Sequence, residues 1–165
     1  MGRTILVFLF SLLVVFMALE HARVRDEVDR VTREADELRD VADSLSLEID
    51  SLHELSWENI EYFMDVYGVQ HKDVVLRQVM IETGNLSSKI CLENNNLFGM
   101  KLPRVRETVA LGSKRGHAYY ASWIDSVRDY KLWQDAMYRG GDYYGFLADV
   151  GYAEASGYVR ALRSL

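Results

Sequence analysis

The chain carries a single cysteine, Cys91, so no disulfide can form within it. No His or Asp stands beside that thiol, which therefore reads as a small buried apolar side chain rather than a nucleophile. The four histidines (His21, His53, His71 and His117) and the lone cysteine show no metal-ligand spacing, so no metal and no cofactor is expected. Positive charge is also scarce. The formal net charge is −6, and from Glu20 to Ser56 there are 12 acids against 5 bases. From Trp57 to Leu165 the balance is 13 against 13. A neutral C-terminal part with no basic stripe excludes nucleic acid as the natural partner. Its wealth of Tyr and Trp suits an uncharged ligand such as a sugar, whose ring packs on aromatic faces. There is no internal repeat and no low-complexity tract, and neither Pro nor Gly occurs between Val24 and Leu55.

Three segments follow from these patterns: 1–20, 21–55 and 57–165. Thr4 to Leu19 (TILVFLFSLLVVFMAL) is almost unbroken apolar sequence. As a helix it spans about 24 Å, somewhat less than the ~30 Å hydrocarbon core, a mismatch that local thinning accommodates. A signal peptide wants small residues at −3 and −1 of its cleavage site. Phe16/Ala18 and Glu20/Ala22 both put a poor residue at −3, which favours an uncleaved signal anchor over a cleaved signal. With Arg3 before the run and acids after it, the expected placement is single-pass in the cell membrane. The C-terminal domain then lies in the periplasm or outside; secretion after cleavage is the alternative. No lipobox cysteine is present.

From Val24 the apolar positions alternate spacings of four and three: Val24, Val28, Val31, Ala35, Leu38, Ala42, Leu45, Ile49 and Leu52. This is a heptad seam, with the valines and leucines of one series at d and Val28, Ala35, Ala42 and Ile49 at a. A helix so polar on its other faces has little to bury except a copy of itself, so a homo-oligomer through a coiled coil is expected. Glu34 at g and Arg39 at the following e would pair across a parallel dimer. The stalk would reach about 48 Å.

Trp57 to Leu165 is long enough for one core. Helices are expected near 57–67 and 73–82. A loop then runs to Asn96, followed by an irregular or two-stranded stretch from Phe98 to Tyr120. The Ser122-Trp123-Ile124-Asp125 capping box opens a helix over 123–138. Two short helices close the chain near 143–150 and 158–165. Pro103–Arg106 and Gly112–Gly116 read as a hairpin turn and a flexible loop. The fold class is mainly α, an α+β head with a small β-lobe, preceded by a transmembrane or signal helix and a coiled-coil helix.

The most informative stretch is Leu76 to Lys101, LRQVMIETGNLSSKICLENNNLFGMK. A helical run ends on Glu82, and Gly84 can stop that helix in the left-handed conformation. A carboxylate at such an end sits on the rim of a cleft, where a general acid is placed. Asn95-Asn96-Leu97-Phe98-Gly99-Met100-Lys101 follows at short distance. Further on stand HAYYASWIDSVRDYKLWQ and GYAEASGY. These four elements, in this order, resemble the bacterial N-acetylglucosaminidase domain, glycoside hydrolase family 73, found in autolysins, phage lysins and flagellar rod-cap hydrolases.

The resemblance implies a lysozyme-like fold, with a helical lobe and a small β-lobe around a cleft. It also implies cleavage of the β-1,4 bond after N-acetylglucosamine in peptidoglycan, with Glu82 as general acid. The chemistry of glycosides asks for the same group, a carboxyl kept protonated by an apolar setting. Val79, Met80 and Ile81 are expected to supply that setting. The second group is open. Glu107, the only carboxylate between Glu93 and Asp125, is either a catalytic base or a plain surface residue. In a substrate-assisted scheme the acetamido group attacks instead, and Tyr152 steadies the positive charge. Ala155 and Ser156 depart from the family's Tyr-Ala-Thr-Asp-Pro-x-Tyr pattern after that tyrosine. Asn95, Asn96 and Phe98 read first as builders of the turn that joins the lobes, with Asn96 and Phe98 as candidate substrate contacts. Tyr119, Tyr120 and Trp123 are candidates to line the sugar cleft or to fill the core. The leading reading is a membrane-anchored peptidoglycan hydrolase. The alternatives are a non-hydrolytic wall-binding or scaffold protein, a phage lysin with the same chemistry, and a lytic transglycosylase.

Overall fold

The computed structural model describes residues 2–152 and 157–165, apart from the side chain of Thr4. The chain divides into two units, Met1–Leu52 and His53–Leu165. The first is one helix, α1, which runs Gly2–His53. Its apolar start is long and apolar enough to cross a membrane, a test that a signal sequence also passes. The heptad positions before Leu52 are exposed on the single chain: Leu38 is 71% and Leu45 53% accessible. Glu34 pairs within the helix, taking Arg30 at 2.7 Å. Exposed i,i+4 pairs contribute roughly 0.3–0.5 kcal/mol each, so this one stiffens the helix only slightly.

The second unit is built from α2 (Trp57–Tyr67), α3 (Lys72–Thr83), α4 (Lys89–Asn94), α5 (Trp123–Met137), α6 (Tyr143–Asp149) and α7 (Tyr158–Ser164), with strands β1 (Gly112–Lys114) and β2 (His117–Tyr119). It is a mainly α fold with a small β element. Local chemistry fixes the helix ends. Ser56 accepts the Asn59 N–H ahead of α2, and Gly68 closes that helix at φ 68°. The capping box ahead of α5 is complete, with Ser122 and Asp125 each accepting the other's backbone N–H. Gly84, at φ 54°, stops α3 one residue after Thr83. The turn from Asp142 into α6 is capped twice, its carboxylate accepting the Tyr144 and Gly145 N–H groups.

Two expectations are corrected. The segment before Asn96 is not a plain loop: Ser88 caps α4 by accepting the Cys91 N–H. The hairpin turn lies not at Pro103–Arg106 but at Arg115-Gly116, between antiparallel β1 and β2, where Lys114 pairs with His117. Arg115 (φ 57°) and Gly116 (φ 77°) are both left-handed, as a two-residue hairpin turn requires. Proline at 103 has no such requirement to meet, and its neighbours are irregular.

The core gathers Ile60 and Met64 of α2, Val75 and Val79 of α3, Cys91 of α4, Leu97 and Phe98, Val127 and Tyr130 of α5, Leu147 of α6 and Leu162 of α7. Burial pushes the Cys91 thiol up to about 11, in keeping with a packing role. At its centre the Phe98 ring stacks on Tyr130, centroids 4.2 Å apart.

The β hairpin is held to the helices by three consecutive asparagines. Asn94 Nδ2 donates to the Lys114 carbonyl at 2.8 Å, and Asn95 Nδ2 to the Tyr120 and Ala121 carbonyls at 3.1 Å each. Asn96 is the densest joint. Its Nδ2 donates to Met100 O at 2.9 Å and Ala118 O at 2.8 Å. Its Oδ1 accepts the N–H groups of Phe98 at 3.2 Å and Met100 at 3.1 Å. One side chain thereby shapes the Phe98-Gly99-Met100 turn and ties it to β2.

Candidate active site

The last turn of α3 places Glu82 at the edge of a cavity of about 690 Å³. Gly99, Met100, Lys101, Arg106, His117, Trp133, Met137 and Tyr152 share its lining with Phe98. Among the described residues that line it, Glu82 is the only carboxylate. Gly99 is at φ 62°, and a Cβ there would fall 2.9 Å from Glu82 Oε2. Glycine is needed here both for the backbone conformation and for the space the carboxylate occupies.

Glu82 is half-buried, and its carboxyl is held above the ordinary value. Burial raises it, while a hydrogen bond from Tyr158 and the charge of His117 pull it partly back. The apolar setting does not come from the residues beside it in sequence. Met80 is 39% and Ile81 36% exposed, and Val79 is in the core. Successive helical residues point to different faces, so the wall around the carboxyl is drawn from Phe98, Met100, Trp133 and Tyr152 instead.

Behind Glu82 runs a buried chain of hydrogen bonds. Gln134 Nε2 donates to Tyr143 Oη at 2.9 Å, and Tyr143 and Tyr130 hydroxyls meet at 2.7 Å. Tyr130 donates to Gln78 Oε1 at 2.7 Å, and Gln78 Nε2 to Tyr158 Oη at 3.3 Å. Tyr158 then reaches Glu82.

The other candidates part company. Phe98 lines the cavity, although its side chain is almost wholly buried. Tyr152 lines it as well and donates to Phe98 O at 3.0 Å; burial raises its hydroxyl well above the ordinary value. Residues 153–156, where Ala155 and Ser156 fall, lie outside the described residues. Glu107 is exposed and does not line the cavity. Its neighbour Arg106 does, clamped on buried Asp129 by bonds of 2.9 and 2.8 Å. Asp129 itself sits below its ordinary value. Burial would raise it, but the Arg106 guanidinium, Thr108 and the Tyr120 hydroxyl together outweigh that.

Asn96 is also removed from the candidate contacts, because both ends of its amide are spent on backbone partners inside the fold. Tyr120 is buried and donates to Asp129 at 2.9 Å. Trp123 is buried and donates from its indole to the His53 carbonyl at 2.9 Å. Tyr119 packs its ring over Gly112 across the hairpin. None of these three lines the cavity. Sequence reasoning missed His117 and Tyr158. The spacing of Gln78 and Glu82, one turn apart on α3, and the second tyrosine of GYAEASGY were the available signals for the Tyr158 contact.

A model of the glucosaminidase family, described as mannosyl-glycoprotein endo-beta-N-acetylglucosaminidase, matches residues 57–165. The chain belongs to this family. No curated protein and no solved structure matches it. Membership makes the second unit a glucosaminidase domain, a glycosidase unit whose substrate is a glycan. The cavity suits that class: an aromatic and apolar wall, a half-buried carboxyl and a few polar groups.

Proposed function

We propose that the glucosaminidase domain hydrolyses the β-1,4 bond after N-acetylglucosamine in peptidoglycan, with Glu82 as the general acid. The observation behind this reading is that one half-buried carboxyl, raised by burial, faces a cavity wide enough for sugar rings. A carboxyl kept protonated can deliver its proton to the glycosidic oxygen as the bond to the anomeric carbon breaks. Tyr152, at the same cavity, is the neighbour that would steady positive charge on the reacting ring. In the wider arrangement, residues 1–20 anchor the chain in the membrane, and the heptad seam pairs it with a second copy.

A second reading, peptidoglycan binding without cleavage, is favoured by Glu107 standing away from the cavity, which leaves Glu82 as the one carboxyl lining it among the described residues. One experiment separates the two. The full chain in detergent micelles and its Glu82→Gln variant are incubated with purified peptidoglycan, and the fragments are read by mass spectrometry. Fragments ending in reducing N-acetylglucosamine are expected from the wild type, with a loss of about 10²–10⁴-fold in the variant. Wild-type turnover in the variant removes Glu82 from the role. Binding without fragments from either protein establishes the second reading.

A further inference from the structure

We propose that His117 is the second catalytic group of this cavity, the general base that activates water on the far side of the sugar from Glu82. The inference rests on the hydrolytic reading above and names the group that reading leaves open. Four titratable side chains besides Glu82 line the cavity among the described residues: Lys101, Arg106, His117 and Tyr152. Lysine and arginine carry donors and no lone pair to receive a proton. The Tyr152 hydroxyl already donates to Phe98 O at 3.0 Å and keeps its proton far above neutrality. Among the described residues that leaves the imidazole, the side chain best suited to exchanging a proton at physiological pH.

The ring is held in the form that the task needs. His117 Nδ1 lies 3.0 Å from the Arg115 carbonyl oxygen. A carbonyl can only accept, so Nδ1 carries the hydrogen and the neutral ring has its lone pair on Nε2. The same bond fixes the ring at the rim of the hairpin. Position is set further down the strand. The Ala118 N–H donates to Met100 O at 2.8 Å, and Met100 follows Gly99, against which the Glu82 carboxylate sits. A short backbone path thus ties the two groups into one cavity.

The step balances without a further reagent. Glu82 gives its proton to the glycosidic oxygen as the bond from the anomeric carbon breaks. Water forms the new bond to that carbon and gives its proton to Nε2. The leaving sugar departs as an alcohol, and the carboxylate and imidazolium exchange protons with solvent to restore the start. Attack from the face opposite the leaving group inverts the anomeric carbon, so a β-linked substrate yields the α-anomer first. The charged groups around the imidazole are Glu82 from α3, Lys101, Arg106, Lys114 and Arg115 of its own hairpin, and Glu93 of α4, which pairs with Arg115.

The test uses the full chain in detergent micelles with soluble peptidoglycan fragments. It compares wild type, His117→Gln, His117→Glu and Glu82→Gln. Proton NMR during turnover reads which anomer forms first, and melting of each variant reads folding. The expected results are α-anomer first from wild type and kcat lowered about 10²–10⁴-fold in His117→Gln. His117→Glu, which restores a base, should recover part of that loss. Wild-type kcat in a folded His117→Gln, or β-anomer first, overturns the proposal while Glu82→Gln, if inactive, keeps the hydrolytic reading. No fragments from wild type overturn both. Should His117→Gln fail to fold, the first-formed anomer and the kcat of His117→Glu decide.

Discussion

Asn96→Ala separates a structural joint from a sugar ligand, and the size of its effect can be worked from the bonds it removes. Four hydrogen bonds disappear. Two of the backbone partners keep another: Met100 O still accepts the Ala118 N–H at 2.8 Å, and Ala118 O still accepts Asn94 Nδ2 at 3.3 Å. The other two, the N–H groups of Phe98 and Met100, lose the acceptor that satisfies them. An unsatisfied buried donor costs about 1–3 kcal/mol, so the pair gives roughly 2–6 kcal/mol before the small cavity is added. For a domain near 100 residues each kcal/mol lowers Tm by about 4–8 °C. A fall of at least about 8 °C is therefore expected, since the loss is a large share of the ~5–15 kcal/mol that holds a domain together. Trp57, Trp123 and Trp133 all lie in the glucosaminidase domain, so intrinsic fluorescence follows its melting without interference from α1. A variant that melts within about 2 °C of wild type and loses only KM would refute the reasoning and return Asn96 to the substrate.

Four further outcomes follow from the same geometry. Gly99→Ala pushes a methyl toward Glu82 Oε2, an atom at the end of a flexible side chain. It should lower kcat by about 10²-fold while costing only about 1–2 kcal/mol in a chemical melt, since the acid moves more easily than the fold. Arg106→Ala leaves the buried Asp129 charge without its cation and should cost about 3–5 kcal/mol. The depressed Asp129 carboxyl contributes stability above its unfolded value, near pH 4, which is lost as pH falls through its lower folded value. Asp129→Asn should therefore flatten the loss of Tm below about pH 4. Glu82 has the opposite sign: its folded value is raised, so its contribution is complete below about pH 4 and is lost as pH rises. Glu82→Gln should melt higher than wild type at pH 7 and no higher at pH 3.5; equal melting at both pH values refutes the buried-charge argument.

What could be read in advance was whatever rests on local chemistry. The caps at Ser122 and Gly84, the helical spans and the end-of-helix position of Glu82 all follow from residues within a few places of one another. The family resemblance lay in motifs of the same short range. What could not be read were the contacts made at long sequence distance. Gly99 against Glu82 and Tyr158 against Glu82 depend on how the turn and α7 come back onto α3. Glu107 is a candidate from sequence because it is a carboxylate in the right stretch of chain, with a plain surface residue as the other reading. The Arg106–Asp129 clamp instead turns Arg106 into the cavity lining, while Glu107 is left exposed. His117 carried no signal of its own until β2 was seen to be bonded to Met100. For the aromatics, periodicity gave two readings of equal form, and tertiary packing chose the core for Tyr120 and Trp123.

The hydrogen-bond chain behind Glu82 also decides where an acid proton can sit. Tyr130 donates to Gln78 Oε1, so the Gln78 amide presents its Nε2–H to Tyr158. The Tyr158 oxygen accepts that hydrogen, which directs its own proton toward the Glu82 carboxyl. Gln134 donates at the buried end, so the direction runs outward from there toward Glu82. An oxygen of Glu82 that receives the Tyr158 hydrogen is a poor place for a second one. When Glu82 is protonated, its hydrogen therefore goes to the other oxygen, away from Tyr158. Burial raises the carboxyl's hold on its proton, while the tyrosine chooses the oxygen that carries it. Strength and aim of the acid are thus set by separate parts of the sequence: the apolar wall from 98–100 and α5, and the donor from α7.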